Sequence, residues 1–171
     1  MPAQTTKPNQ QTAANMHDGV KIYGKGVTAV RAIDGINIDI HPAQFTAIMG
    51  PSGSGKSTLL QCLAGLDTLT EGSVHIAGKN LSSIKDRRLT ILRRQNVGFI
   101  FQAFNLIPTL TAKENVLLPL TIARQRVDQA WFKKVIDKLK LADRLDHIPS
   151  ELSGGQQQRV AAARALIATR R

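Results

Sequence analysis

Nine consecutive residues, Gly50-Pro51-Ser52-Gly53-Ser54-Gly55-Lys56-Ser57-Thr58, combine glycines, a lysine and hydroxyls at a spacing suited to holding phosphate. Every fixed position of the pattern G-x-x-x-x-G-K-[ST] is met. Gly50, Gly53 and Gly55 open backbone dihedrals closed to other residues, so successive N–H groups can line one concave nest. A helix starting near Lys56 adds its unpaired N–H groups and the positive end of its dipole. Lys56 brings a full charge to the terminal phosphates of a nucleotide, and the Ser57 hydroxyl is a hard oxygen suited to magnesium. The plainer alternative is a glycine turn that only joins a strand to a helix. The full match, set between an apolar run and a helical pattern, favours nucleotide binding.

The flanking elements must present that loop. Phe45-Thr46-Ala47-Ile48-Met49 reads as a short buried strand, and Lys56 to Leu66, closed by Gly65, as a helix. Upstream, Val20 and Ile22, then Val27 and Val30, then alternating Ile36, Ile38 and Ile40 are punctuated by Gly24, Gly26 and Gly35. That pattern predicts short antiparallel strands. Val74-His75-Ile76 reads as a strand between turns at Thr68–Gly72 and Gly78–Asn80, and Ile84 to Arg94 as a helix with a basic outer side. Val97-Gly98-Phe99-Ile100-Phe101 is a second compact apolar strand ending at Gln102. Thr111 and Glu114 form a capping box for a helix that Pro119 should stop near Leu118. Gln129 to Leu141 puts Trp131, Val135, Ile136 and Leu139 on one face of an amphipathic helix.

A second motif lies near the end of the chain, Ser150-Glu151-Leu152-Ser153-Gly154-Gly155-Gln156-Gln157-Gln158-Arg159. Ser153 and Gln156 form another capping box, opening a helix from Gln157 to about Ala168. Gly154 and Gly155 strip side chains from the helix mouth, leaving N–H groups open to an anion. A good helix start with no ligand fits these residues equally well.

Leu152-Ser153-Gly154-Gly155-Gln156 matches the signature of the ATP-binding cassette (ABC) proteins, and Gly50–Thr58 matches their phosphate loop. The chain therefore resembles an ABC transporter ATP-binding domain from about Val20 onwards. Gly98–Leu106, Leu110–Val116 and the triple Gln156-Gln157-Gln158 look most like the subunits that drive lipoprotein release and macrolide export. The resemblance implies an α/β P-loop NTPase core of ABC type, with an N-terminal antiparallel β part and a helical insertion. Residues 1–17 would be a disordered polar tail and residues 18–171 a partial ATP-binding domain, helical over about 104–156.

The resemblance also implies the ligands: ATP and Mg2+. Gly50, Pro51, Ser52, Gly53, Ser54, Gly55, Lys56, Ser57 and Thr58 would hold the phosphates. Tyr23 would stack on adenine, Ser57 and Gln102 would contact magnesium, and Gln102 would also touch the attacking water. Ser153, Gly154, Gly155 and Gln156 would close on the γ-phosphate bound to a second ATP-binding subunit. Segment 103–119 would dock on a separate membrane permease, placing the chain peripherally on the cytoplasmic face of the membrane.

The family next carries an apolar strand ending in Asp-Glu, and the 171 residues contain no Asp-Glu pair. The core is thus expected to be incomplete at its C-terminus and hydrolysis by this polypeptide weak, general-base assistance being worth about 10²–10⁴-fold. A non-hydrolysing regulatory subunit is one alternative; an ABC ATPase acting on nucleic acid or ribosomes is another. The net charge of +11 suits the latter, but aromatic residues at 4% leave little for base stacking, and no heptad run separates the two motifs as in chromosome-maintenance relatives. No nucleic-acid partner is expected. Nor is membrane insertion, since no run of 18 apolar residues occurs. Cys62 is the sole cysteine, which excludes an intrachain disulfide, and the four histidines are too dispersed for a metal cluster.

Overall fold

The computed structural model describes residues 12–168, which group into two compact units divided between Thr90 and Ile91. In the first unit, β1 (Ala14–Tyr23) and β2 (Val30–Ile40) pair antiparallel from Ala14↔Ile40 to Tyr23↔Val30. The alternating isoleucines are met here as expected. After the helix α1 (Lys56–Leu63), β3 (Glu71–Ile76) pairs antiparallel with the other edge of β1. It then turns back into the two-residue β4 (Lys79–Asn80), giving the sheet order β2-β1-β3-β4. Ala77 and Gly78 both have positive φ, as a two-residue primed hairpin turn requires.

One face of this sheet carries Met16, Ile33 and Val74, and α1 lays Leu59, Cys62 and Leu63 against them. Met16 and Cys62 are fully buried. Burying an apolar side chain of Met or Leu size is worth about 1.5–3 kcal/mol, enough to fix where α1 sits on the sheet. The phosphate-loop helix thus gets its position from the N-terminal strands. The polar tail drawn over residues 1–17 is too long: β1 begins at Ala14, because Met16 is needed in this core. Residues 1–11 lie outside the described residues.

The second unit holds the end of α2 (Asp86–Asn96), then α3 (Ala112–Ala123), α4 (Gln129–Lys138) and α5 (Gly154–Ala168). Val116, Leu120, Val135, Ile136, Val160 and Ile167 form its core. Ala161, Ala163 and Ala165 are buried along α5, small side chains that let neighbouring backbones come close. The Thr111 box is present: Thr111 Oγ1 accepts from the Glu114 N–H, and the Glu114 carboxylate accepts from the Thr111 N–H at 2.7 Å. Those contacts hold the Glu114 carboxyl below its ordinary range.

Three expectations are corrected. α3 does not stop at Leu118 but continues through Pro119 to Ala123. An interior proline costs about 3 kcal/mol, and it is offset by the burial of Val116 and Leu120, at about 1.5–3 kcal/mol each. The two compact apolar runs are not strands. Phe45–Met49 is irregular, with Phe45 95% and Met49 87% exposed, and Val97–Phe101 is irregular, with Ile100 57% exposed. A strand exists only through its ladder, and no described strand pairs with either run. Finally, the helices start and stop differently from their patterns: α1 ends at Leu63, and α5 opens at Gly154 rather than Gln157.

Candidate nucleotide-binding site

The loop between Gly50 and Lys56 is held by its glycines. Gly55 has φ +82°, and a Cβ there would lie 2.1 Å from the carbonyl oxygen of Ala32 on β2. Only glycine lets the loop pass that close to the strand, so β2 fixes the point where α1 begins. Gly50 and Gly53 also have positive φ. The first N–H groups of α1 have no intrahelical acceptor and are directed at the same loop. Lys56 folds back over it, donating to the Pro51 carbonyl and, at 3.3 Å, to Ser54 Oγ. Both partners are neutral dipoles, and among the described residues no carboxylate pairs with Lys56, so its charge is left for an anion. Ser57 is exposed at the second position of α1. Its hydroxyl fits a hard cation shared with phosphate oxygens, the way magnesium is usually held beside nucleotides.

Tyr23 ends β1 in the same unit and is 40% exposed. Its hydroxyl donates to Asp67 Oδ2 at 2.7 Å, and Lys21 Nζ lies 4.8 Å from the ring centroid. Lys21 also binds Asp67 Oδ1 at 2.6 Å and the Thr68 carbonyl at 2.7 Å. The Asp67 hydrogen bond, then burial, raise the Tyr23 phenol, while a hydrogen bond with Thr58 of the loop opposes them. Burial alone would push the Asp67 carboxyl up; the bonds from Lys21, Tyr23 and the Thr68 N–H outweigh it and hold it below the ordinary range. Lys21 is raised, chiefly by its bond to Asp67. Sequence reasoning singled out Tyr23 but missed Asp67 and Lys21. Their signal, a carboxylate just past the loop helix and a lysine two residues before the tyrosine, needs the strand register to be read.

The remaining expected site residues lie in the second unit. Gln102 is exposed in a turn closed by the Phe104 N–H to the Phe101 carbonyl. Phe104 and Asn105 both have positive φ. Arg164 on α5 donates to their two carbonyls, at 2.6 Å and 2.7 Å. Asn115, fully buried, accepts from the Ile107 N–H at 2.8 Å and donates to the carbonyls of Ile107, Leu110 and Thr111. The segment after Gln102 is therefore shaped by two side chains that no motif search marks. At the second motif, the Ser153 N–H donates to Gln156 Oε1 at 2.7 Å and the Gln156 N–H to Ser153 Oγ at 3.3 Å, so the capping box is real. Ser153, Gly154 and Gly155 are exposed, and open space surrounds the place of a Cβ at either glycine. Gln157 Nε2 ties this helix mouth to the carbonyls of Pro149 and Leu152.

A family model described as ABC transporter matches residues 33–171, which span the phosphate loop, Gln102 and the second motif together. The chain belongs to the ABC transporter family. It is 51% identical over 150 residues to an uncharacterised ABC transporter ATP-binding protein of Methanocaldococcus jannaschii, covering 85% of this chain and 66% of that protein. It is 46% identical to the lipoprotein-releasing system ATP-binding protein LolD of Pseudomonas syringae pv. tomato, over 86% of this chain and 66% of that one. With the macrolide export ATP-binding/permease protein MacB of Brucella melitensis the identity is 49%, over 89% of this chain and 24% of the other. Among solved structures, a dimeric post-hydrolysis ATP-binding cassette bound to ADP and Pi superposes with a TM-score of 0.79 at 43% identity, covering 91% of this chain and 69% of that one. The chain thus spans about two thirds of the length of its separate-subunit relatives and about a quarter of the fused one. The α/β ABC fold is shared. No helix among the described residues is long and apolar enough to cross a membrane.

Proposed function

We propose that this chain is the ATP-binding part of an export-type ABC transporter, working peripherally through a membrane permease. Gly50–Thr58 holds the phosphates of ATP, with Lys56 on the terminal ones and Ser57 on magnesium, and Tyr23 stacks on the adenine. Gln102 contacts the metal and the water. Ser153, Gly154, Gly155 and Gln156 of a second ATP-binding subunit complete the site. The exposed, side-chain-free helix mouth at Gly154–Gly155 supports that last assignment, as does the dimeric, ADP- and Pi-bound relative. The likeness to LolD and MacB supports export or extraction from the membrane.

The observation that carries the reading is the Gly55–Ala32 contact together with an unneutralised Lys56 folded over the loop. Without a Cβ at 55 the loop closes into a cradle, and without a carboxylate partner the ammonium is available to phosphate. The deciding experiment is ATP titration of Lys56→Ala. A loss of about 100-fold fits removal of a charge-assisted phosphate contact worth about 1.5–3 kcal/mol from a shared network. Affinity unchanged within about twofold would overturn the cradle assignment. Nucleotide-dependent pairing tests the second motif: Ser153→Ala should weaken ATP-induced dimers while leaving ATP binding to the monomer intact.

A further inference from the structure

The cluster around Asp67 is not explained by packing. Asp67 takes hydrogen bonds from the Tyr23 hydroxyl on one oxygen and the Lys21 ammonium on the other, at 2.7 Å and 2.6 Å. Its own amide neighbour, the Thr68 N–H, donates to Oδ1 as well. Lys21 closes the triangle, since the same ammonium lies 4.8 Å from the centre of the Tyr23 ring. Tyr23 therefore has its hydroxyl anchored and one ring face occupied by a cation, while the residue stays 40% exposed. Tyr23 ends β1, which packs against α1, the helix that opens at the phosphate loop. A tyrosine that merely filled the surface would be free to rotate; this one has its plane fixed from two directions.

We infer that Asp67, with Lys21, is a positioning device that sets the Tyr23 ring as a flat platform for the nucleobase. Asp67 touches no nucleotide atom in this arrangement; it acts through the tyrosine. The proposal rests on the reading of Tyr23 as the base-stacking residue, and deepens it. A ring held in advance loses less rotational freedom when the base arrives, which is how pre-organisation adds affinity without adding a contact.

The test compares ATP with inorganic tripolyphosphate, which shares the phosphates and lacks the base, by equilibrium titration of the full-length protein. Asp67→Asn keeps the shape of the side chain and removes its charge and one acceptor. Tyr23→Phe keeps the ring and removes only the anchored hydroxyl, so it guards against a variant that fails to fold. Each should weaken ATP by roughly 5- to 10-fold, within the range for losing an ordinary, partly exposed hydrogen bond, and leave tripolyphosphate unchanged. The double variant should be no weaker than either single one, because both remove the same link. Tyr23→Ala separates the proposal from its premise. If it leaves ATP binding intact, base stacking itself is wrong. If it weakens ATP by about tenfold or more while Asp67→Asn and Tyr23→Phe do not, stacking stands and the positioning role is overturned. Equal losses for ATP and tripolyphosphate in Asp67→Asn overturn it too, since Asp67 would then act through the loop and not through the ring.

Discussion

Gly53 and Gly55 give a matched pair for testing how the phosphate loop is built. Their φ angles are nearly the same, +79° and +82°, so alanine at either pays the left-handed backbone cost of about 1–2 kcal/mol. Their surroundings differ. At Gly53 a Cβ would meet nothing within 4 Å, whereas at Gly55 it would lie 2.1 Å from the Ala32 carbonyl oxygen. Relieving that overlap means moving either the loop or β2, an over-packing cost of about 1–3 kcal/mol. Gly55→Ala should therefore be less stable than Gly53→Ala by about 1–3 kcal/mol. For a protein of this size each kcal/mol is worth about 2–4 °C, so the two melting temperatures should differ by roughly 2–12 °C. Thermal unfolding followed by circular dichroism, with and without ATP, measures the difference. ATP should stabilise Gly53→Ala and have little effect on Gly55→Ala, whose cradle is displaced. Equal melting temperatures and equal ATP protection would refute the argument that β2 sets the loop.

Three more outcomes follow from the same contacts. Asn115→Ala strands the Ile107 N–H and several carbonyls next to a fully buried position and should cost about 2–4 kcal/mol, visible as a lower urea midpoint. Arg164→Lys cannot reach two successive carbonyls as a planar fork does, so protease cleavage near Phe104–Asn105 should accelerate while helix content by circular dichroism is kept. The Lys21–Tyr23–Asp67 cluster sets a pH window. The lowered Asp67 contributes stability above its unfolded pKa, near the carboxylate value of 3.8, and loses it as pH falls through the folded value. The raised Lys21 and Tyr23 contribute below their unfolded values, 10.5 and 10.0, and lose it as pH rises through the folded ones. Because Tyr23 is the sole tyrosine, tyrosinate absorbance reports it directly, and Asp67→Asn should move that titration to lower pH.

The local chemistry was readable from residue types because it obeys short-range rules. Gly50–Thr58 needs three glycines and a lysine within nine positions, and the capping boxes at Thr111–Glu114 and Ser153–Gln156 need only i and i+3. The isoleucine alternation marked β2 as a strand for the same reason. What escaped depends on partners far along the chain. Phe45–Met49 and Val97–Phe101 carry the apolarity of core strands, but a strand is a property of two segments and no described neighbour completes either. Pro119 reads as a stop until the burial of Val116 and Leu120 is weighed against it. Asp67, Asn115 and Arg164 are ordinary surface types whose roles come from positions 44, 8 and 59 residues away.

Phe45, Met49, Ile100 and Phe101 leave greasy side chains in water on irregular stretches that pair with no strand among the described residues. Two such stretches on different molecules can pair by satisfying each other's amides and carbonyls. Association of that kind grows with the number of encounters, so crowding more than heat should govern how long this polypeptide stays clear in solution.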